Sequence, residues 1–281
     1  MIDALILGLV QGLTEFLPVS SSGHLVIMQH YLGVREIGLS FDVLVHQATL
    51  LAVVVYFWHD VKKLVAAFFS IIWGVLGSRA ARRGRLDAES RMYRRLVWLV
   101  LLGSIPAALA GFFLEDFFTG LFESVLLVGL MLMVTGLLLW GAEWLQSQKQ
   151  RRRELNAMTA LDALIVGIGQ AIAITPGISR SGTTIAAALG RGLERSAAAR
   201  YSFLLSLPAI FGAGLLQAKD ILKIGIDYNW QVLVVGGLAA FVAGILAIRA
   251  LMAILERSRL TIFSYYCWTL GLVVVLTQMA R

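Results

Sequence analysis

The chain has 281 residues, of which 59% are hydrophobic and only 15% charged, with a mean hydropathy of +0.81 and a formal net charge of +7. That apolar share is more than a water-soluble domain can hide, which excludes a soluble enzyme and leads us to expect an all-α, polytopic membrane protein. The basic residues sit in short loops beside apolar stretches, a pattern that orients membrane spans and argues against nucleic acid as a partner.

The first segment carries Asp3 and Glu15 within its apolar run and lacks a basic leader, so it reads as retained structure and not as a cleaved signal. It continues through Pro18 into a serine- and glycine-rich turn. Proline removes a backbone donor, and serine and glycine favour turns, so a helix that enters, turns and leaves by the same face is expected. Lipid cannot satisfy broken backbone, so such a hairpin must face protein. Residues 41–58 form the first candidate span, ending at Lys62 and Lys63, and residues 64–76 are expected to lie along the interface or dip into it. Spans over residues 96–114 and 121–144 follow, each long enough for the roughly 20 residues a helix needs to cross the hydrocarbon. The first is preceded by Arg79, Arg82, Arg83, Arg85, Arg91, Arg94 and Arg95, and the second is followed by Lys149, Arg151, Arg152 and Arg153. Two crossings apart, these loops share the cytoplasmic side.

The sequence then repeats. At an offset of 159, Asp3-Ala4-Leu5-Ile6 falls on Asp162-Ala163-Leu164-Ile165, Gly8 on Gly167, Gln11 on Gln170, and Ser20, Ser22 and Gly23 on Ser179, Ser181 and Gly182. These nine identities in 22 ungapped positions include Asp, Gln and Ser-x-Ser-Gly, which low-complexity coincidence does not readily supply. A second hairpin broken at Pro176 is therefore expected, followed by spans over residues 200–217, 232–253 and 260–279. Arg191, Arg195, Arg200, Arg257 and Arg259 mark their cytoplasmic ends, which puts the carboxyl terminus outside. With three spans in each half, the second copy enters upside down. The expected architecture is one membrane domain, residues 1–281, made of inverted repeats 1–147 and 158–281 joined by a basic cytoplasmic loop. It has six transmembrane helices and two re-entrant hairpins, with a site between residues 20–24 and 179–183.

The hairpins carry the chemistry. Gln11 and Glu15 share a helix face, and a carboxylate within a membrane segment is a functional candidate by default. Three serines (Ser20, Ser21, Ser22) and His24 follow, a set able to supply a nucleophile and a proton shuttle. Glu15 alone as a buried structural carboxylate, or His24 as a satisfied interfacial imidazole, is the plainer alternative. In the second hairpin, Arg180 lies among Ser179, Ser181, Gly182, Thr183 and Thr184 at the start of an alanine-rich helix, where amides, hydroxyls and a guanidinium fork together form an anion cradle; a cytoplasm-facing topology charge, like Arg191 downstream, is the plainer alternative for Arg180. Asp42 and His46, four residues apart, suit either a metal ligand or proton relay, or local capping and packing. Asp3 and Asp162 read as helix caps. Trp58, Trp140 and Trp144 suit interfacial belts, and His30 and His59 receive no role.

With Gln11-x-x-x-Glu15, Pro18-Val19-Ser20-Ser21-Ser22-Gly23-His24 and Pro176-Gly177-Ile178-Ser179-Arg180-Ser181-Gly182-Thr183-Thr184, the chain resembles the undecaprenyl-diphosphate phosphatase family of the bacitracin-resistance type. The segments 41–46 and 201–208 extend the likeness over most of the chain. The resemblance implies hydrolysis of undecaprenyl diphosphate to the monophosphate carrier used in peptidoglycan synthesis, and with it bacitracin resistance. It implies a bacterial inner-membrane location with a periplasm-facing site, a polyprenyl diphosphate lipid as substrate, and dependence on a divalent cation, Mg2+ or Ca2+. By position it makes Glu15, Ser21, His24 and Arg180 the central polar residues; we read Glu15, Ser21 and His24 as catalytic, Arg180 with Ser179, Ser181, Gly182, Thr183, Ser20 and Ser22 as the diphosphate-binding set, and Glu15, with the Gln11 amide as the weaker donor, as the metal ligands. Gln11 stands where the family also uses Glu, which removes a possible metal ligand. A homodimer is compatible with this reading. A transporter of a polyprenyl phosphate or small anion is the rival reading, since broken helices in inverted repeats also build carriers.

Overall fold

The protein, seen here in a computed structural model, is described over residues 1–33, 39–75, 87–148, 152–224, 230–257 and 259–280. Its helices are α1 (Ile2–Phe16), α2 (Ser21–Leu32), α3 (Leu39–Tyr56), α4 (Trp58–Val75), α5 (Ala88–Phe113), α6 (Glu115–Leu121) and α7 (Val125–Ser147), followed by α8 (Ala160–Ile172), α9 (Arg180–Gly190), α10 (Arg195–Ile224), α11 (Trp230–Arg257) and α12 (Thr261–Met279). An isolated bridge between Arg153 and Leu193 is the sole β pairing among the described residues.

Five of these helices, α5, α7, α10, α11 and α12, are long and apolar enough to cross a membrane. The bent pair α3 and α4 supplies a sixth candidate, broken by 92° at Phe57. The protein is thus a polytopic helical membrane protein. The bend turns α4, which holds residues 64–75 of the segment expected to lie along the interface or dip into it, away from α3, and α4 exposes Trp58, Phe68, Phe69 and Trp73. Large apolar side chains such as Phe211, Leu215, Leu238, Val242 and Leu246 are likewise exposed, which suits hydrocarbon and not water.

Small residues set the interior. Lipid is as apolar as leucine, so helices in a membrane associate through close packing, and glycine lets backbones touch. A Cβ on Gly8 of α1 would collide with the carbonyl of Gly236 in α11, and a Cβ on Gly167 of α8 would collide with that of Gly103 in α5. Gly8 and Gly167 are a pair in the 159-residue register, and so are the helices that bear them. Each short helix therefore packs on a long helix from the other half of the sequence, while α7 packs along α12.

Buried carboxylates tie neighbouring helices together. Asp162 of α8 binds Arg153 at 2.9 Å and Arg191 at 2.7 Å, Glu143 of α7 binds Arg195 at 2.7 Å, and Asp60 of α4 takes Arg200 at 2.8 Å together with the Tyr93 hydroxyl at 2.6 Å. Four of the arginines counted as topology charges, Arg153, Arg191, Arg195 and Arg200, thus also lock neighbouring helices. Arg79, Arg82, Arg83, Arg85, Lys149, Arg151 and the side chain of Arg257 lie outside the described residues. The capping expectation needs amending. Thr159 is the residue that caps α8, with Asp162 closing a reciprocal capping box, whereas Asp3 is exposed in the first turn of α1 and caps nothing.

Candidate active site

Both hairpins form as the prolines and serines require. Helix α1 stops at Phe16, the chain turns through residues 17–19, and α2 starts at Ser21; α8 stops at Ile172, turns, and α9 starts at Arg180. Each second helix is capped by the serine before it. The Gly23 amide donates to Ser20 Oγ at 3.2 Å, and the Gly182 amide donates to Ser179 Oγ at 3.0 Å. Each capping serine also shares a hydrogen bond with the serine two residues on, Ser22 at 3.3 Å and Ser181 at 3.2 Å. Ser20 is the only non-glycine residue of positive φ, at 69°, among the described residues. That conformation makes the first turn tight enough to return α2 against α1.

The turns are pinned from outside the hairpins. Thr135 of α7, fully enclosed, donates to the Gly177 carbonyl at 3.0 Å and accepts from the Ser179 amide at 3.1 Å. Cys267 of α12 lies 3.7 Å from the Pro18 carbonyl, donating to it weakly. Ser181 donates to the Leu17 carbonyl at 3.1 Å and so joins one turn to the other.

Glu15 is the hub. Its Oε2 accepts from Ser21 Oγ at 2.6 Å and from Gln11 Nε2 at 2.9 Å, and its Oε1 accepts from Arg180 Nη2 at 2.9 Å. The carboxylate is 6% exposed and Arg180 is 16% exposed, so this ion pair spanning 165 residues of sequence sits largely out of solvent. Arg180 Nη1 is buried with no protein partner, as are Gln11 Oε1 and Thr183 Oγ1. Buried donors and acceptors are nearly always satisfied, so Arg180 Nη1 and Gln11 Oε1, on the two side chains that also bond Glu15, point to a ligand. The first-turn amides of α9 add two donors that no intrahelical carbonyl can take.

Of the residues singled out in the sequence, Gln11, Glu15, Ser21 and Arg180 are thus joined directly. Ser20, Ser22, Ser179 and Ser181 surround them but spend their hydroxyls on caps and turn contacts. Gly182 packs against Pro18, where a side chain would crowd it. His24 stands one turn beyond Ser21 on α2. Its Nδ1 is 2.7 Å from the Ser20 carbonyl and its Nε2 is 2.7 Å from the Tyr266 hydroxyl, so no direct bond joins it to Glu15. His46, weighed with Asp42 as relay or packing, brings Nε2 to 4.0 Å from Glu15 Oε2 while Nδ1 faces the Asp42 carbonyl at 2.7 Å. Thr135 and Tyr266 were not singled out. A lone threonine amid the apolar residues of α7 was a signal for the former, whereas nothing local marks the latter.

Among the described residues no three His, Cys, Asp or Glu side chains converge as a self-contained metal site. A hard cation bound through one carboxylate, a carbonyl oxygen and substrate phosphates needs no such cluster, and Glu15 with the unpartnered Gln11 Oε1 provides that partial set.

A family model described as "Bacitracin resistance protein BacA" matches residues 4–273. Curated proteins named undecaprenyl-diphosphatase are similar over almost the full length of both chains. That of Alkaliphilus metalliredigens is 43% identical over 275 residues, covering 97% of each chain. That of Halothermothrix orenii is 44% identical over 271 residues, covering 96% of this chain and 95% of its own. That of Carboxydothermus hydrogenoformans is 43% identical over 283 residues, covering 99% and 97%.

Proposed function

Because the chain belongs to the BacA family of bacitracin resistance proteins, we propose that it removes the terminal phosphate of undecaprenyl diphosphate at the pocket where Arg180 meets Glu15. It is an enzyme, an undecaprenyl-diphosphatase like its curated relatives, and it returns the lipid carrier to cell-wall synthesis. The observation that carries the site assignment is the divided guanidinium. One nitrogen of Arg180 holds Glu15, and the other is buried without a partner.

In this reading Arg180 Nη1 and the first amides of α9 receive the terminal phosphate. Ser21, whose proton already points at Glu15 Oε2, turns a lone pair toward phosphorus. Its oxygen attacks, the proton passes to Glu15, and undecaprenyl phosphate leaves. Water then attacks the phosphoserine, the Ser21 O–P bond breaks, Ser21 takes its proton back from Glu15, and inorganic phosphate leaves. His24, three residues after Ser21 on the same helix face, takes the proton of that water. Glu15 and Gln11 Oε1, together with phosphate oxygens, would hold a divalent cation, Mg2+ or Ca2+, which supplies neutralisation of phosphate charge when bound.

The architecture behind the site is an inverted repeat of residues 1–147 and 158–281 with six spans, opening to the periplasm from the inner membrane. The matched serine caps and the matched crossings of Gly8 with Gly236 and Gly167 with Gly103 support it. The test is phosphate release from a short-chain prenyl diphosphate by the purified full chain in detergent, with and without chelator. Activity lost in Ser21→Ala and Arg180→Ala, with phosphate trapped on Ser21 under quenched turnover, is the expected result. Full activity in Arg180→Ala would remove the site, and an active enzyme with no phosphoserine would replace Ser21 by direct attack of water.

A further inference from the structure

The pocket leaves open how His24 keeps a fixed orientation. Its two ring nitrogens are both engaged. A carbonyl oxygen can only accept, so Nδ1, 2.7 Å from the Ser20 carbonyl, carries the ring hydrogen. In the neutral imidazole Nε2 is then the lone-pair nitrogen, and the Tyr266 hydroxyl 2.7 Å away donates to it. The two ring planes are nearly parallel, 3° apart with centroids 5.7 Å apart, so the rings meet edge to edge through this hydrogen bond. Tyr266 comes from α12, 242 residues further along the chain, so this contact ties the helix that bears Ser21 and His24 to the last helix of the bundle.

We propose that Tyr266 is the positioning residue for His24. The Ser20 carbonyl selects the tautomer, and Tyr266 fixes the plane of the ring and the direction of Nε2. When His24 acts as the base, Tyr266 passes its hydroxyl proton to Nε2 while its oxygen takes the proton of the water, and the same hydroxyl then accepts the new Nε2–H, so one side chain serves both protonation states with no movement of the ring. The hydroxyl can do this because it is both donor and acceptor, and because Tyr266 is 46% exposed. A phenylalanine keeps the ring and loses both the donor and the acceptor.

This inference rests on His24 acting in turnover, and the experiment separates the two. Phosphate release from a short-chain prenyl diphosphate is measured for the full chain in detergent and for Tyr266→Phe, His24→Gln and the double variant. Tyr266→Phe should lower kcat about tenfold, a fraction of the factor of about 100 or more that a general base supplies, with KM within about twofold. The double variant should be no slower than His24→Gln alone. In the 15N spectrum of histidine-labelled protein, the Nε2 resonance missing from His24→Gln should move in Tyr266→Phe. Wild-type kcat in Tyr266→Phe, or losses that multiply in the double variant, would overturn the role of Tyr266. Wild-type kcat in His24→Gln would overturn the reading of His24 itself. Tyr266→Trp, which supplies an indole N–H donor and no acceptor, should fall below Tyr266→Phe if the acceptor role matters, and an activity above it would refute that role.

Discussion

Arg180→Lys is the substitution that tests the pocket most directly, because it keeps the charge and removes the fork. The guanidinium spans two anions, holding Glu15 Oε1 at 2.9 Å through Nη2 and leaving Nη1 for the phosphate. An ammonium is a single point of charge on a flexible stem and cannot meet both in a fixed geometry. One charge-assisted hydrogen bond is therefore lost in the transition state, worth about 1.5–3 kcal/mol, which is a fall in kcat/KM of about 10- to 150-fold. A cation still faces Glu15, so the melting temperature in detergent should stay within a few degrees. Arg180→Ala differs. It strands a buried carboxylate at a cost of about 3–5 kcal/mol, and adding Glu15→Gln should restore part of that stability without restoring activity. Phosphate release and thermal unfolding on the same samples decide the matter. Arg180→Lys within threefold of wild type, or a melting temperature that falls as far as in Arg180→Ala, would refute the two-anion role.

Other outcomes follow from the same geometry. Thr135→Val keeps the shape of the side chain but leaves the Gly177 carbonyl and the Ser179 amide without their partner, so unfolding should be easier by about 1–3 kcal/mol, with KM raised through the loosened turn that carries Arg180; unchanged thermal unfolding would show that the pin is dispensable. Gly167→Leu drives a side chain into the backbone of α5, and size-exclusion chromatography of the detergent extract should show little monodisperse protein, whereas the same change at Gly141, which has open space around it, should be tolerated. Gln11→Glu adds a second carboxylate beside Glu15, so the divalent-cation concentration for half-maximal activity should fall; an unchanged requirement would place the ion elsewhere.

Much of this was readable in the residues, and the physical reasons are specific. Proline at 18 and 176 followed by Ser-x-Ser-Gly dictated two broken helices, because few other combinations both stop a helix and cap the next. Glu15 and Arg180 stood out because charges are rare in apolar segments, and each is found against the other. Position along a helix could not reveal partners from distant segments. Sequence order placed His24 close to Ser21, yet its bonds run to Ser20 and Tyr266, and His46, 31 residues from Glu15, comes within 4.0 Å of it. Arginines read as loop charges proved to hold Asp60, Glu143 and Asp162, since a charge count records the side of the membrane and not what the guanidinium touches. The short helix α6 went unseen because a seven-residue element between two long apolar runs leaves no periodicity of its own.

The crossed packing of α1 with α11 and of α8 with α5 has a consequence for biogenesis. A nascent chain that has emerged only as far as α7 holds a glycine face with nothing to meet it and a carboxylate awaiting its counter-ion. Such an intermediate has every reason to remain with the insertion machinery until the later helices arrive. Two separately translated fragments, split between α7 and α8, should accordingly be degraded when made singly and accumulate when made together.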